Sequence, residues 1–120
     1  MAKESWPDDA ATVHWEGDSR EVLARFPAAI RRKIGSDIMR LQLGEMPLSS
    51  RPMPSVGRGV FELRQMDDRG WYRVIYLQRI ANRIFMLHSF TKKSAKTSAR
   101  DLGIATTRLR QVRRRLEEHK

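Results

Sequence analysis

Apolar residues recur along this chain with two different spacings, and four short segments predict β-strands. Apolar and polar positions alternate in residues 12–15 and 60–65, and residues 71–78 and 84–90 are the third and fourth predicted strands. The turn sequence Asp67–Gly70 links the second and third segments as a hairpin. The fourth segment is nearly all apolar, which is typical of a central strand that is buried on both faces.

A spacing of three or four positions marks the helices. Between residues 18 and 44 the apolar residues follow this spacing on both sides of Pro27, which predicts two helices or one kinked helix. Gly44 stands where a helix would end in the left-handed conformation. The same spacing returns near the C-terminus and predicts a helix over residues 97–118.

At each of two predicted helix starts, two polar residues lie three positions apart from each other. Asp18 with Glu21 fits the pattern in which a cap residue and the third helical residue bond to each other's backbone. Ser98 with Asp101 fits a weaker form of the same pattern at the last helix. We therefore expect helices to begin at these two positions.

The order of these elements is strand, two helices, three strands and helix, within a single domain over residues 1–120. Residues 1–10 are predicted to be a loose N-terminus. Residues 45–59, which are rich in Pro, Gly and Ser, are predicted to be a basic loop carrying Arg51 and Arg58. Consecutive strands with segregated helices favour an α+β fold. We expect a four-stranded, mainly antiparallel sheet covered on one face, with two N-terminal helices and a C-terminal helix.

The charge of the chain indicates a polyanionic partner. The 120 residues include 24 Lys and Arg against 14 Asp and Glu, which gives a formal net charge of +10. Such an excess attracts nucleic acid, although an acidic protein partner would also satisfy it.

The composition also excludes several kinds of site. The chain has no cysteine, which removes thiol catalysis, disulfide bonds and cysteine-ligated zinc, and which fits a reducing cytoplasm. The histidines are far apart, at His14, His88 and His119, so we expect no metal site. We see no signal peptide and no segment near the roughly 20 apolar residues of a membrane span. We therefore expect a soluble, cytoplasmic protein.

Four motifs in order carry a resemblance to a known superfamily. They are Gly59–Arg64, Trp71–Tyr76, Leu87–Ser94 and the step Lys96–Ser98 into the last helix. Together they resemble the RelE/ParE superfamily of toxin–antitoxin systems, and most closely its phage-derived HigB-like branch. The resemblance covers about residues 12–112.

This resemblance implies a four-stranded sheet with helices on one face and an open, concave, basic second face. It implies a toxin that cleaves messenger RNA on the ribosome without a metal or other cofactor. The implied partner is a HigA-like antitoxin with a helix-turn-helix. Two other functions stay open: a ParE-like poison of DNA gyrase on the same fold, and a non-catalytic module that binds nucleic acid.

Strand parity brings candidate site residues to one face. Since Phe61 and Leu63 should face the helices, Glu62 and Arg64 should point to the open face. Arg73 is expected on the same face of the next strand. Lys92 and Lys93 follow the last strand directly, where they can lean over the sheet edge.

The resemblance implies roles for two of these residues. Arg73 matches the superfamily arginine that binds the scissile phosphate, and Lys93 falls where a second cation often stands. We expect Arg73→Ala to abolish toxicity and leave the fold intact, because a surface arginine contributes little to stability. Lys92, Lys96, Arg58 and Arg51 are the further candidates for RNA binding.

The general acid and base are not evident. Relatives often carry a tyrosine or histidine shortly after the last strand, where this chain has residues 94–98 without either. Glu62 is one candidate base, with Lys93 or Lys96 as the acid. A lysine whose pKa is lowered by neighbouring cations is another.

Each candidate also has a purely structural interpretation. Glu62 with Arg64 or Arg73 would form a cross-strand ion pair. Lys92 and Lys93 would be a solvated strand end. His88 lies in an apolar run and is expected to be buried and hydrogen-bonded.

Overall fold

The computed structural model describes residues 6–94 and 96–118, which form one sheet and three helices. The elements follow in the order β1 (Thr12–Trp15), α1 (Ser19–Ala24), α2 (Ala28–Gln42), β2 (Ser50–Pro52), β3 (Val60–Asp67), β4 (Gly70–Ile80), β5 (Arg83–Lys92) and α3 (Ala99–Glu118). The predicted α+β class and the order of the predicted elements are confirmed.

The sheet has five strands and is mixed, in the order β1-β5-β4-β3-β2. β1 runs parallel to β5, and the other pairs are antiparallel. The prediction of four strands is therefore wrong. The additional strand, β2, lies inside the predicted loop 45–59. It has only three residues and includes Pro52, which an edge strand tolerates, so it carries no readable alternation.

The first face of the sheet packs against α1 and α2. The buried residues of α2, including Ile30, Ile34 and Ile38, lie against Leu63 and Val74 in one core. Phe61 packs against this core and is partly buried. The expected direction of Phe61 and Leu63 is confirmed.

The second face of the sheet is covered by α3. Ala105, Leu109 and Val112 of this helix pack with Ile75 and Leu87 in a separate core. The expectation of helices on one face and an open second face is therefore wrong. The helical spacing of α3 identified its apolar stripe, but a stripe does not tell which face of the sheet it covers.

A bulge in β5 sets which residues face α3. Ile75 pairs with His88 and Tyr76 pairs with Met86, which leaves Leu87 as the extra residue between them. Met86 consequently faces the first core, and Leu87 and His88 both lie on the α3 side. The near-continuous apolar run of β5 serves two cores, as expected for a central strand.

Of the two capping contacts predicted at the helix starts, the structure contains one. Asp18 precedes α1 but forms no side-chain capping bond, whereas Ser98 caps α3 by accepting the Asp101 N–H at 3.1 Å. Gly44 has φ +84, as predicted for the residue after α2.

Residues 6–10 contain no helix or strand, and the rest of the predicted loose N-terminus, residues 1–5, lies outside the described residues. Within the described ranges, no helix is both long enough and apolar enough to cross a bilayer.

Candidate active site

Alternation along β3 and β4 sends charged side chains to the α3 side of the sheet. Glu62 and Arg64 point away from the buried Leu63, and Arg64 pairs directly with Arg73 in the strand register. Directly paired residues of antiparallel strands share a face, so the two arginines are neighbours. The shared face expected for these three charged residues is confirmed.

The three side chains form an ion-pair cluster centred on Glu62. Glu62 Oε2 lies 3.3 Å from Arg73 Nη1, and Oε1 lies 3.2 Å from Arg64 Nε. Burial raises the pKa of the Glu62 carboxyl above its usual value, and the charges of Arg73 and Arg64 oppose part of that rise. Both carboxylate oxygens are occupied by guanidinium groups.

Arg73 is far more buried than its predicted role requires, with 1% of its side chain exposed. Its Nη1 donates to Thr97 Oγ1 at 2.6 Å as well as to Glu62, because the segment leading into α3 crosses over it. The prediction of an open, surface Arg73 is wrong, so its removal can no longer be expected to leave the fold intact on the ground that it lies at the surface. Burial lowers the pKa of Arg73, although a guanidinium stays charged in proteins.

Arg73 has hydrogen-bonding capacity that its surroundings do not use. Within the described residues, its Nε and Nη2 are buried and have no hydrogen-bond partner. An unpaired buried donor costs about 1–3 kcal/mol, and more on a charged group. Two guanidinium groups also face a single carboxylate here. The cluster therefore holds surplus positive charge and free donors, which is what an anionic ligand requires.

Trp71 extends this cluster toward the β3–β4 turn. The guanidinium carbon of Arg64 lies 4.7 Å from the centre of the Trp71 ring, and that of Arg73 lies 5.9 Å from it. These are cation–π distances. Trp71 pairs in register with Lys92 of β5, so an aromatic ring and an amine occupy the same end of the sheet.

A second carboxylate, Asp101, ties the start of α3 to β5. Asp101 Oδ1 lies 2.9 Å from His88 Nε2, and Oδ2 lies 3.2 Å from Lys92 Nζ. Ser98 Oγ also donates to Oδ2 at 2.6 Å. Burial alone would raise the pKa of Asp101, but the bonds from Ser98, His88 and Lys92 together hold it below its usual value. The buried, hydrogen-bonded role expected for His88 is confirmed.

The remaining predicted cations lie at different distances from the cluster. Arg51 of β2 is exposed and pairs in register with Glu62. Lys93 and Lys96 are exposed on the segment between β5 and α3. Arg58 lies elsewhere, since its carbonyl accepts a bond from Arg113 in the second half of α3. The structure thus brings Arg51 to the cluster and leaves Arg58 apart from it.

A sequence model of one protein family, Phage derived protein Gp49-like (DUF891), matches residues 21–110 of the chain. The chain belongs to this family. Gp49-like proteins form a RelE-like toxin family of toxin–antitoxin systems, so a toxin-like function is consistent with the match. The match shows the family, but it does not assign the chain to the HigB-like branch. No curated protein matches the chain.

Two contacts of this Gp49-like protein were not predicted from its sequence. Thr97 accepts a bond from Arg73, and Asp101 binds Lys92. Asp101 was recognisable only as the partner of Ser98 in a cap. Nothing in the sequence near Thr97 signals its contact, which depends on how α3 crosses the sheet. Among the residues that the structure describes, no three His, Asp or Glu side chains are grouped to hold a metal ion.

Proposed function

We propose that this Gp49-like protein is the toxin of a type II toxin–antitoxin system and cleaves messenger RNA on the ribosome without a metal. The observation that carries the proposal is the buried Arg73 guanidinium, which has two nitrogens without hydrogen-bond partners in the described chain and lies beside Arg64. The net charge of +10 supports a polyanionic substrate. The proposed partner is a HigA-like antitoxin with a helix-turn-helix.

The reaction requires fixed positive charge more than any other group. The 2′-hydroxyl beside the scissile phosphate loses its proton, and its oxygen bonds to phosphorus. The bond to the 5′ oxygen then breaks, and that oxygen takes up a proton. Negative charge grows on the phosphate oxygens in between, so prepositioned cations lower the barrier. Arg73 and Arg64 suit this task because a guanidinium can bind two phosphate oxygens and keeps its charge.

The proposal includes an opening step, because Arg73 is covered. Thr97 must release Arg73 Nη1, and the segment before α3 must move from the strand face, before a phosphate can bind there. Catalytic hydrogen bonds often form only in the substrate complex. Arg64, whose side chain is 25% exposed, and Lys93 are the cations that RNA would meet first.

Glu62 is better suited to position the arginines than to act as the base. Its side chain is 4% exposed and both its oxygens lie beside guanidinium groups, so a 2′-hydroxyl has no access to it in this arrangement. Proton transfer then falls to exposed groups at the rim. Lys93 and Lys96 are the candidates in this chain, and the ribosome is a source of others.

The burial of Arg73 also favours a second candidate function on the same fold. A poison of DNA gyrase acts through protein contacts and needs no accessible phosphate site. Residues 94–98, which include neither tyrosine nor histidine, agree with that alternative.

Induced expression in bacteria, with and without the neighbouring gene as antitoxin, tests both candidates. An endoribonuclease should arrest growth, and mapping of transcript ends should reveal new cuts within translated regions. In a cell-free translation reaction the purified protein should shorten the messenger. Intact messenger together with DNA breaks in the induced cells would instead identify the gyrase poison, and growth unaffected by induction would exclude both toxins.

A further inference from the structure

A pocket of about 350 Å³ lies at the end of the β4–β5 pair and is lined in part by Trp71, whose ring lies near Arg64 and Arg73. Its lining includes Arg69, Lys92 and Lys93, the aromatic residues Trp71 and Tyr72, and Gly70. No carboxylate of the described residues lines it. Its size falls at the lower end of the range for ligand sites, roughly 300–1,000 Å³. The combination of cations with aromatic residues fits a ligand that is anionic at one end and flat at the other.

The turn that carries Arg69 is held rigidly. Asp67 Oδ1 accepts the backbone N–H groups of Arg69 at 2.9 Å and Gly70 at 3.2 Å, while its Oδ2 accepts the Tyr72 hydroxyl at 3.2 Å. Gly70 has φ +153, and a Cβ there would lie 2.7 Å from the Lys92 carbonyl oxygen. Only glycine fits this approach. The backbone on this side of the pocket is therefore fixed before a ligand binds, which reduces the entropy cost of binding.

The Trp71 ring is also held before binding. Arg64 lies over it at 4.7 Å, which fixes the indole at the end of the strand face. Proteins that bind single-stranded nucleic acid combine such fixed aromatic rings, on which a base stacks, with cations that follow the backbone. Lys92 is already engaged by Asp101, which leaves Arg69 and Lys93 as the cations available to a phosphate.

We propose that Trp71, Arg69 and Lys93 form a nucleotide subsite for single-stranded RNA, in which one base stacks on the indole and an adjoining phosphate lies between the two cations. The subsite deepens the proposed function and rests on it. It lies beside the arginine cluster, so a strand bound here would continue toward Arg64 and Arg73. It would thus fix the register of the strand relative to the scissile phosphate.

Tryptophan fluorescence tests the stacking directly. The chain has three tryptophans, and replacing Trp6 and Trp15 with phenylalanine leaves Trp71 as the single emitter. A short single-stranded oligoribonucleotide, added at low salt, should quench this emission. An abasic chain with the same number of phosphates should bind more weakly and quench little. Equal binding and equal quenching by both chains would overturn the proposal.

Substitutions provide the second arm. Trp71→Ala should weaken binding of the oligoribonucleotide roughly 5- to 150-fold, and Trp71→Phe should retain most of the affinity, since stacking is worth about 1–3 kcal/mol per base. Arg69→Gln should reduce the salt dependence of binding by about one phosphate contact. Trp15→Phe is the matched control, and melting curves should show that each variant is folded. Unchanged affinity in Trp71→Ala would remove the subsite.

Messenger cleavage in a translation reaction separates the two proposals. Cleavage by the wild type together with no effect of Trp71→Ala on oligonucleotide affinity would overturn the subsite alone. Absence of cleavage, of growth arrest and of oligonucleotide binding would overturn both the proposed function and the subsite.

Discussion

The two faces of the central sheet are built from neighbouring residues of the same strands, but they bury different kinds of side chain. On the α2 side, the strands contribute Leu63, Val74 and Met86 to a hydrophobic core. On the α3 side, the face is divided. It is apolar beneath the middle of α3, and toward the start of α3 it becomes the charged cluster of Glu62 and Arg73.

This difference predicts where stability and the proposed function are coupled in the molecule. The α2 face gains its free energy mainly from burying apolar area, an effect that does not depend on the direction of individual contacts. The charged part of the α3 face buries ions, which is favourable only while every partner is present. A change on the first face should therefore alter stability alone, whereas a change on the second should alter stability and RNA binding together.

The largest expected effect is that of Arg73→Ala. Removing one partner of a buried ion pair leaves the other uncompensated, so we expect a loss of about 3–5 kcal/mol in the free energy of unfolding. We also expect loss of toxicity. Denaturant unfolding measures the first effect and induced growth the second.

A double variant checks the physical reason for this effect. In Glu62→Gln/Arg73→Ala no carboxylate is left without its partner, so the stability loss should be smaller than the sum of the two single losses. Additive losses would show that the pair is not coupled. A stable, fully toxic Arg73→Ala variant would exclude Arg73 from both roles.

Leu63→Ala should destabilise the chain by about 2–5 kcal/mol, because it opens a cavity in the core on the α2 side. RNA affinity measured on the folded fraction should stay at the wild-type level. This variant loses about as much stability as Arg73→Ala, so it controls for instability as the cause of lost activity. If Leu63→Ala abolished RNA binding while still folded, the two faces would not be separable in this way.

Local pattern was sufficient for most of the fold. The alternation of Phe61 to Arg64 predicted which side chains enter the α2 core, and this was correct because a period of two fixes the face. β2 was not predicted, because three residues at an edge, one of them Pro52, show no alternation. The face covered by α3 was predicted wrongly, since the sequence of a helix records its apolar stripe and not the surface against which it packs.

The sequence predicted which charged residues share a face of the sheet, but it did not predict how deeply Arg73 is buried among them. Parity brought Glu62, Arg64 and Arg73 together, as the register shows. The burial of Arg73 depends on Thr97, which lies 24 positions away and reaches it only because α3 crosses the second face. Such contacts arise from tertiary packing, and no local spacing encodes them.

Asp101 is the carboxylate that α3 contributes to the charged part of the α3 face. A pH series on Asp101→Asn tests how much its charge stabilises the folded chain. The pKa of Asp101 lies below its usual value of 3.8, so the ionised carboxylate stabilises the folded chain above that pH. This contribution to stability is lost as the pH falls below 3.8 and then through the lower pKa that Asp101 has in the folded chain. We expect Asp101→Asn to cost about 1–3 kcal/mol at neutral pH, since its bonds to His88 and Lys92 involve a charge.

Urea unfolding of both proteins from neutral pH to pH 3 provides the measurement. The difference in unfolding free energy between wild type and Asp101→Asn should shrink at the acidic end. Asp18, whose pKa is also lowered, mainly by its hydrogen bond from Arg108, is present in both proteins and cancels in this difference. A difference that stays constant with pH would show that Asp101 acts through packing and not through its charge.

The smallest expected effect distinguishes position from net charge among the exposed cations. Lys93 lies at the pocket beside Trp71, whereas Arg58 lies beside the second half of α3, and each substitution to glutamine removes one charge. If RNA follows the charged part of the α3 face, Lys93→Gln should weaken binding and lower the slope of log affinity against log salt by about one. Arg58→Gln should change the slope less, because a charge that contacts no phosphate releases no counterion. Equal slopes for the two variants would mean that RNA is attracted by the overall charge of +10 and is not bound at this face.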